Sequence, residues 1–135
     1  MTPRPYRILI TGSRDWTDET AISKALTALA AANTFAEQPT IVVHGACPTG
    51  ADQMADDWAR WHAQHSPLIT VERHPANWDA HGRAAGPRRN AAMVAAGADA
   101  CLAFIRNGSR GATGCAILAE RAGIPTRRYT EDGTR

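Results

Sequence analysis

The chain has 135 residues, 44% hydrophobic and 21% charged, the composition of a globular domain long enough to bury a core. A net charge of +2 is too small to argue for nucleic acid by itself, and no apolar run approaches the ~18 residues of a membrane span. The opening MTPRPYRILI lacks the apolar segment of a signal peptide, so a cytoplasmic protein is expected.

In chain order, YRILI (6–10) reads as a buried strand, and Ile22, Ala25, Leu26, Leu29 and Ala30 then share one helical face. TIVVH (40–44) is the second strand. Behind it Ala51, Met54, Ala55, Trp58 and Trp61 or His62 recur at helical spacing. LITVER (68–73) is the third strand, and a 13-residue connector, HPANWDAHGRAAG, leads to a helix expected to start near Pro87. DACLAF (99–104) is the fourth strand, GATGCAILAERAG (111–123) the last helix and PTRRY (125–129) a short fifth strand. Strands alternating with helices predict an α/β fold: a three-layer Rossmann-like domain with a mainly parallel sheet of about five strands and helices on both faces. The whole chain, 1–135, is expected to form this single domain, with a core over about 6–129. Ligands of such sheets sit beyond the carboxyl ends of the strands.

The unusual residues cluster at those ends. After strand one, Gly12 permits a close backbone approach, Ser13 and Arg14 can meet an anion, and Thr17 or Asp18 suits the cap of the next helix. After strand two, VVHGACPTGAD spaces Gly45 and Gly50 as a phosphate-binding P-loop does, but Ala51 and Asp52 stand where Lys and Ser/Thr belong. A P-loop NTPase is therefore not expected. Thr49 and Asp52 fit a capping box, and the glycines are expected to leave the helix N-terminus bare for phosphate. Asp52 is thus cap, ligand contact or catalyst. Cys47 reads as a small loop residue rather than a nucleophile. With Cys101 and Cys115 it forms neither a disulfide framework nor a zinc site, and no metal or cofactor is expected.

The third connector holds Asn77, Trp78, His81 and Arg83 before GPRRN. Arg88 and Arg89 in a first helical turn oppose the helix dipole unless an anion lies there, so an anion site is expected. On this reading Arg89→Ala weakens binding without disturbing the fold. In the fourth loop, Ser109, Gly111 and Thr113 offer donors to phosphate. Trp16 and Trp78, on strand-end loops, are candidates for stacking on a base, whereas Trp58 and Trp61 are core or interface residues.

ILITGSRDW, VVHGACPTGADQMADDWA, NWDAHGRAAGPRRNAAM, DACLAF, NGSRGATG and LAERAGIP, in this order over roughly residues 6–129, resemble the YspA/YpsA-related branch of the SLOG superfamily. The resemblance implies a Rossmann-like domain for nucleotides or nucleotide-derived small molecules, from a group found in bacteria and phages. Some relatives act as sensors in defence systems. The Lonely Guy phosphoribohydrolases are better-understood relatives, with R-K-x-x-M and P-G-G-x-G-T-x-x-E motifs whose Arg and Glu are catalytic. RNAAM places Arg89 and Met93 on the first motif, with Asn90 in place of the Lys. On the second, Gly114, Cys115 or Ala116 occupies the place of the Glu, and Glu120 lies too far along. Cleaving an N-glycosidic bond calls for a carboxylate, which Asp15, Asp52 or Asp79 would have to supply.

The expected function is binding of a phosphate-bearing nucleotide derivative, as sensor or sequestering protein. The alternative is a nucleoside-monophosphate N-glycosidase using Asp52 and Arg89. A DNA-binding protein, suggested by fourteen arginines to one lysine and by a DNA-binding relative, is the least favoured reading. The expected partners are the small molecule and further copies of the chain, in a dimer or higher oligomer, and neither membrane nor nucleic acid.

Overall fold

A computed structural model describes residues 3–132. Strands β1 (Tyr6–Gly12), β2 (Thr40–His44), β3 (Ile69–Arg73), β4 (Ala100–Arg106) and β5 (Thr126–Glu131) form one sheet in the order β3-β2-β1-β4-β5. All four pairings are parallel. The longer helices are α1 (Glu19–Phe35), α2 (Gly50–Ala63), α4 (Ala85–Ala95) and α5 (Arg110–Arg121), with a one-turn α3 (Trp78–His81) before α4.

Strand alternation divides the core. Ile8 and Ile10 join Val42, Leu102 and Phe104 beneath α1 and α2, while Leu9 joins Val43, Cys101 and Met93 beneath α4 and α5. A strand buried on both faces must be apolar at every position, which is why YRILI and ACLAF read as continuous runs. The strands outlast those runs. β1 continues to Gly12 because Thr11 and Gly12 pair with Ala103 and Phe104, and β4 continues to Arg106 because Ile105 and Arg106 pair with Thr130 and Glu131. Backbone pairing, not side-chain character, sets those ends.

The long connector is not a bare loop. Asn77 caps α3 by accepting the Ala80 N–H at 3.1 Å, and a 3-10 turn at Gly82–Ala84 leads directly into α4. The helix thus begins at Ala85, and Pro87 falls within its first turn, where its missing N–H costs nothing. Asp18, not Thr17, caps α1, accepting the Ala21 N–H at 3.1 Å.

Two tryptophans belong to the core. Trp16 is 3% exposed, meets Phe104 edge-on at 5.4 Å, and donates its Nε1–H to the Asp18 carbonyl. Trp58 lies between α1 and α2 with its Nε1–H on the Thr27 hydroxyl at 3.3 Å. Trp61 remains exposed, with His62 and His65 against it. Among the described residues no helix is long and apolar enough to cross a membrane.

Beneath α4, Arg7 ties three elements. Its Nε–H bonds the Gly97 carbonyl at 2.9 Å, and its two terminal nitrogens clasp Glu72 at 2.9 and 2.8 Å. Arg7, and then His74 on the same carboxylate, hold Glu72 down at about 2. A carboxylate lowered on folding contributes stability that is complete above its ordinary value near 4.5 and disappears as pH falls through about 2. Glu72→Gln is therefore expected to flatten the fall of Tm between pH 4.5 and pH 2. Melting curves that fall in parallel for the two proteins would show that this pair does not couple to folding.

Candidate functional site

The sheet order reverses between β1 and β4, since the chain winds outward one way through β2 and β3 and the other way through β5. At such a switch point the loops leaving the two central strands diverge and open a crevice. Here that crevice is a cavity of about 860 Å³. Gly12, Arg14 and Asp15 wall it from the β1–α1 loop, Arg106 and Asn107 from the end of β4, and Ser109 to Ala112 from the start of α5. Gly86, Pro87, Arg89, Asn90 and Met93 of α4 face them, with Trp78 at the rim and Cys47 and Asp52 at the β2 side.

Five arginines line this cavity: Arg14, Arg89, Arg106, Arg110 and Arg121. Arg106 is neutralised, bonding Glu131 at 2.8 Å and facing Asp15 at 3.6 Å. Arg14, Arg110 and Arg121 make no ion pair among the described residues. The guanidinium of Arg14 instead lies 5.4 Å from the ring centre of Trp78. Arg106, Arg110 and Arg121 did not emerge from the sequence. A signal was present: Arg110, Gly114, Ile117 and Arg121 are spaced i, i+4, i+7 and i+11, which puts them on one face of α5.

Arg89 has a different character. Its Nη1–H reaches the carbonyls of Gly45 and, at 3.4 Å, His74, and its Nε–H bonds Asn90 Oδ1 at 2.7 Å. It pins the β2–α2 loop and the end of β3 to α4. Removing it takes a donor from those carbonyls, so Arg89→Ala is expected to disturb the fold as well as binding, contrary to the expectation from sequence. Its neighbour Arg88 is exposed and lies off the cavity.

The N-terminus of α2 departs most from the sequence reading. No capping box forms: Thr49 makes no side-chain cap bond, and Asp52 turns back to accept the Cys47 N–H at 3.3 Å. Nor is the terminus bare. The Ser13 carbonyl accepts the Ala51 N–H at 3.2 Å, so the β1–α1 loop already covers it. Ser13 is itself buried, and its hydroxyl accepts the Arg106 N–H at 2.8 Å. Gly45, Thr49 and Gly50 therefore do not line the cavity, nor does Ser13. Asn77, Asp79 and Thr113 also lie off it, and Trp16 is in the core. Of the site candidates named from the sequence, the cavity brings together Gly12, Arg14, Asp15, Asp52, Trp78, Arg89, Asn90, Ser109 and Gly111.

Asp52 is 4% exposed, and burial pushes its carboxyl up against the opposing pull of the Cys47 N–H. Burial, followed by the Asp52 charge, pushes the Cys47 thiol up as well, which removes the thiolate that nucleophilic chemistry needs. His44 faces away from this chemistry. Its Nδ1 accepts the Ala46 N–H at 2.9 Å, which leaves Nε2–H to donate to Asp56 at 2.7 Å. No group of metal-ligating side chains forms among the described residues. Like α2, α5 begins without a side-chain cap, but its first turn opens into the cavity.

Comparison with known proteins agrees with this architecture. A family model described as "YspA, cpYpsA-related SLOG family" (YAcAr) matches residues 6–81. Over 121 residues the chain is 46% identical to the "Gene 61 protein" of Mycobacterium phage D29, covering 88% of this chain and 92% of that protein. No solved structure matches the chain.

Proposed function

The chain belongs to the YspA, cpYpsA-related SLOG family, and from that premise we propose that its cavity binds a phosphate-bearing nucleotide derivative, as a sensor or sequestering protein. One observation carries the reading. Arg14, Arg110 and Arg121 line a single cavity, and none has a carboxylate partner among the described residues. Like charges gathered around one concave space repel each other, and an anion reverses the sign of that interaction. The open first turn of α5 adds backbone N–H groups at the same place. The phosphate lies against α5 and the arginines, not against the covered start of α2.

Thermal melts with a panel of nucleotides, together with mass spectrometry of small molecules that co-purify with the protein, test this. At least one phosphate-bearing nucleotide is expected to raise Tm. A panel without any shift and a preparation without any retained nucleotide would sink the reading.

Asp52 supports a second reading, N-glycosidic hydrolysis, because it brings a carboxyl group into the cavity that Arg89 also lines. Against it, Gly114, Cys115 or Ala116 stands where the phosphoribohydrolase motif has its glutamate. Binding alone leaves the panel intact. Release of free base by the parent, abolished in Asp52→Asn, would replace binding with hydrolysis. The reading includes self-association in the cytoplasm through the face bearing Trp61, and light scattering at the mass of one chain would remove that part.

A further inference from the structure

Helix α5 leaves its cavity face empty where filling it would favour the helix. Gly111 and Gly114 sit in its first turns, although glycine is the poorest helix former after proline. A Cβ built at either position meets nothing within 4 Å, so no neighbour requires glycine there. Both residues line the cavity.

A second, independent feature points into the same space. Asp52 is buried to 4% exposure, yet among the described residues the Cys47 N–H and the thiol beside it are the donors that meet its carboxyl. Buried carboxyl groups ordinarily have their oxygens satisfied, and one with capacity to spare on a cavity wall is suited to a ligand donor. Asp52 lines the same cavity as Gly111 and Gly114. Met93 and Ile117 add apolar wall to this region.

We propose that this compartment is a subsite for the uncharged, nucleoside part of the ligand: its ring and sugar lie against the bare α5 backbone at Gly114, beyond the first turn that faces the phosphate, and Asp52 accepts a hydrogen bond from it. The inference rests on the phosphate-ligand reading above, in which the arginines hold the anion. It assigns selectivity to Asp52 and Gly114, and raw anion affinity to the arginines and the first turn of α5.

Titration calorimetry with inorganic phosphate and with the four nucleoside 5′-monophosphates separates the two subsites. At least one monophosphate is expected to bind the parent about tenfold or more tighter than phosphate does. Gly114→Leu, which fills the open face, and Asp52→Ala are each expected to cut that preference about tenfold while phosphate affinity stays within about twofold. Gly114→Ala controls for folding and should raise Tm by roughly 2–6 °C, because it improves the helix and touches nothing. The subsite is refuted if the monophosphates bind the parent no tighter than phosphate. It is equally refuted if Gly114→Leu, with its fold intact by melting, leaves the preference unchanged or weakens phosphate as much as nucleotide. A parent that binds neither probe overturns the anion reading itself, and the subsite with it.

Discussion

Arg14→Ala combined with Arg110→Ala is expected to lower affinity for a bound nucleotide at least about 100-fold while lowering Tm by no more than about 6 °C. The two halves of this expectation have separate causes. Both side chains are exposed, and neither holds a carboxylate among the described residues. Their removal breaks no ion pair, and surface truncations of this kind stay within roughly 0.5 kcal/mol. Truncating Arg14 does take its guanidinium away from the Trp78 ring, 5.4 Å off on an exposed surface, an attraction worth about 0.5–1 kcal/mol. Binding behaves differently, because a hydrogen bond to a charged group contributes roughly 1.5–3 kcal/mol, and two of them give a factor of about 100 or more. Calorimetry on the single and double variants measures the drop in affinity, and melting measures the cost to the fold. A double variant within a few-fold of the parent would move the anion elsewhere. Arg89 is unsuited to this experiment, since its guanidinium bonds the carbonyls of Gly45 and His74 and its truncation mixes folding with binding.

The sheet was legible because a parallel strand buried on both faces announces itself as an apolar run, and because helices behind such runs show their own period. The crevice was legible for the same reason: once the strands alternate with helices, the carboxyl ends are the place to look. Side-chain direction was not. Trp16 and Trp78 both stand on strand-end loops, yet Phe104, from a strand 88 positions along the chain, draws Trp16 into the core while Trp78 stays at the rim. Ser13 and Thr49 have the chemistry of phosphate ligands. Whether they serve as such depends on what covers them, and the Ser13 backbone covers the start of α2. Arg106 escaped notice because the apolar run of β4 ends before its backbone pairing does. Arg121 escaped because a cation in the last turn of a helix already has a sufficient reason to be there, the helix dipole.

Gly50 decides between the two readings of HGACPTGAD, and Gly50→Ala is expected to destabilise the fold by roughly 2–5 kcal/mol. Gly50 has φ +71°, a left-handed conformation that costs an L-residue about 1–2 kcal/mol. The added Cβ would also overlap the Ser13 carbonyl oxygen and come within 2.5 Å of the Arg14 carbonyl carbon. Those are backbone atoms and cannot rotate aside. Relief requires the β1–α1 loop to lift, and that loop is held by the Ser13 carbonyl on the Ala51 and Trp16 N–H groups and by the Ser13 hydroxyl on the Arg106 N–H. Overpacking of this kind adds roughly 1–3 kcal/mol, a large share of the ~5–15 kcal/mol that stabilises an ordinary domain. Melting is expected to fall by roughly 10–20 °C, against the rise expected for Gly114→Ala. The opposite signs follow from one comparison: a backbone pressed against Gly50, and open space beside Gly114. If Gly50→Ala melts within about 2 °C of the parent yet loses nucleotide, the glycine serves the ligand and α2 regains a phosphate site. If it melts early while its folded fraction still binds, the P-loop spacing of Gly45 and Gly50 is a packing device, and the phosphate belongs to α5.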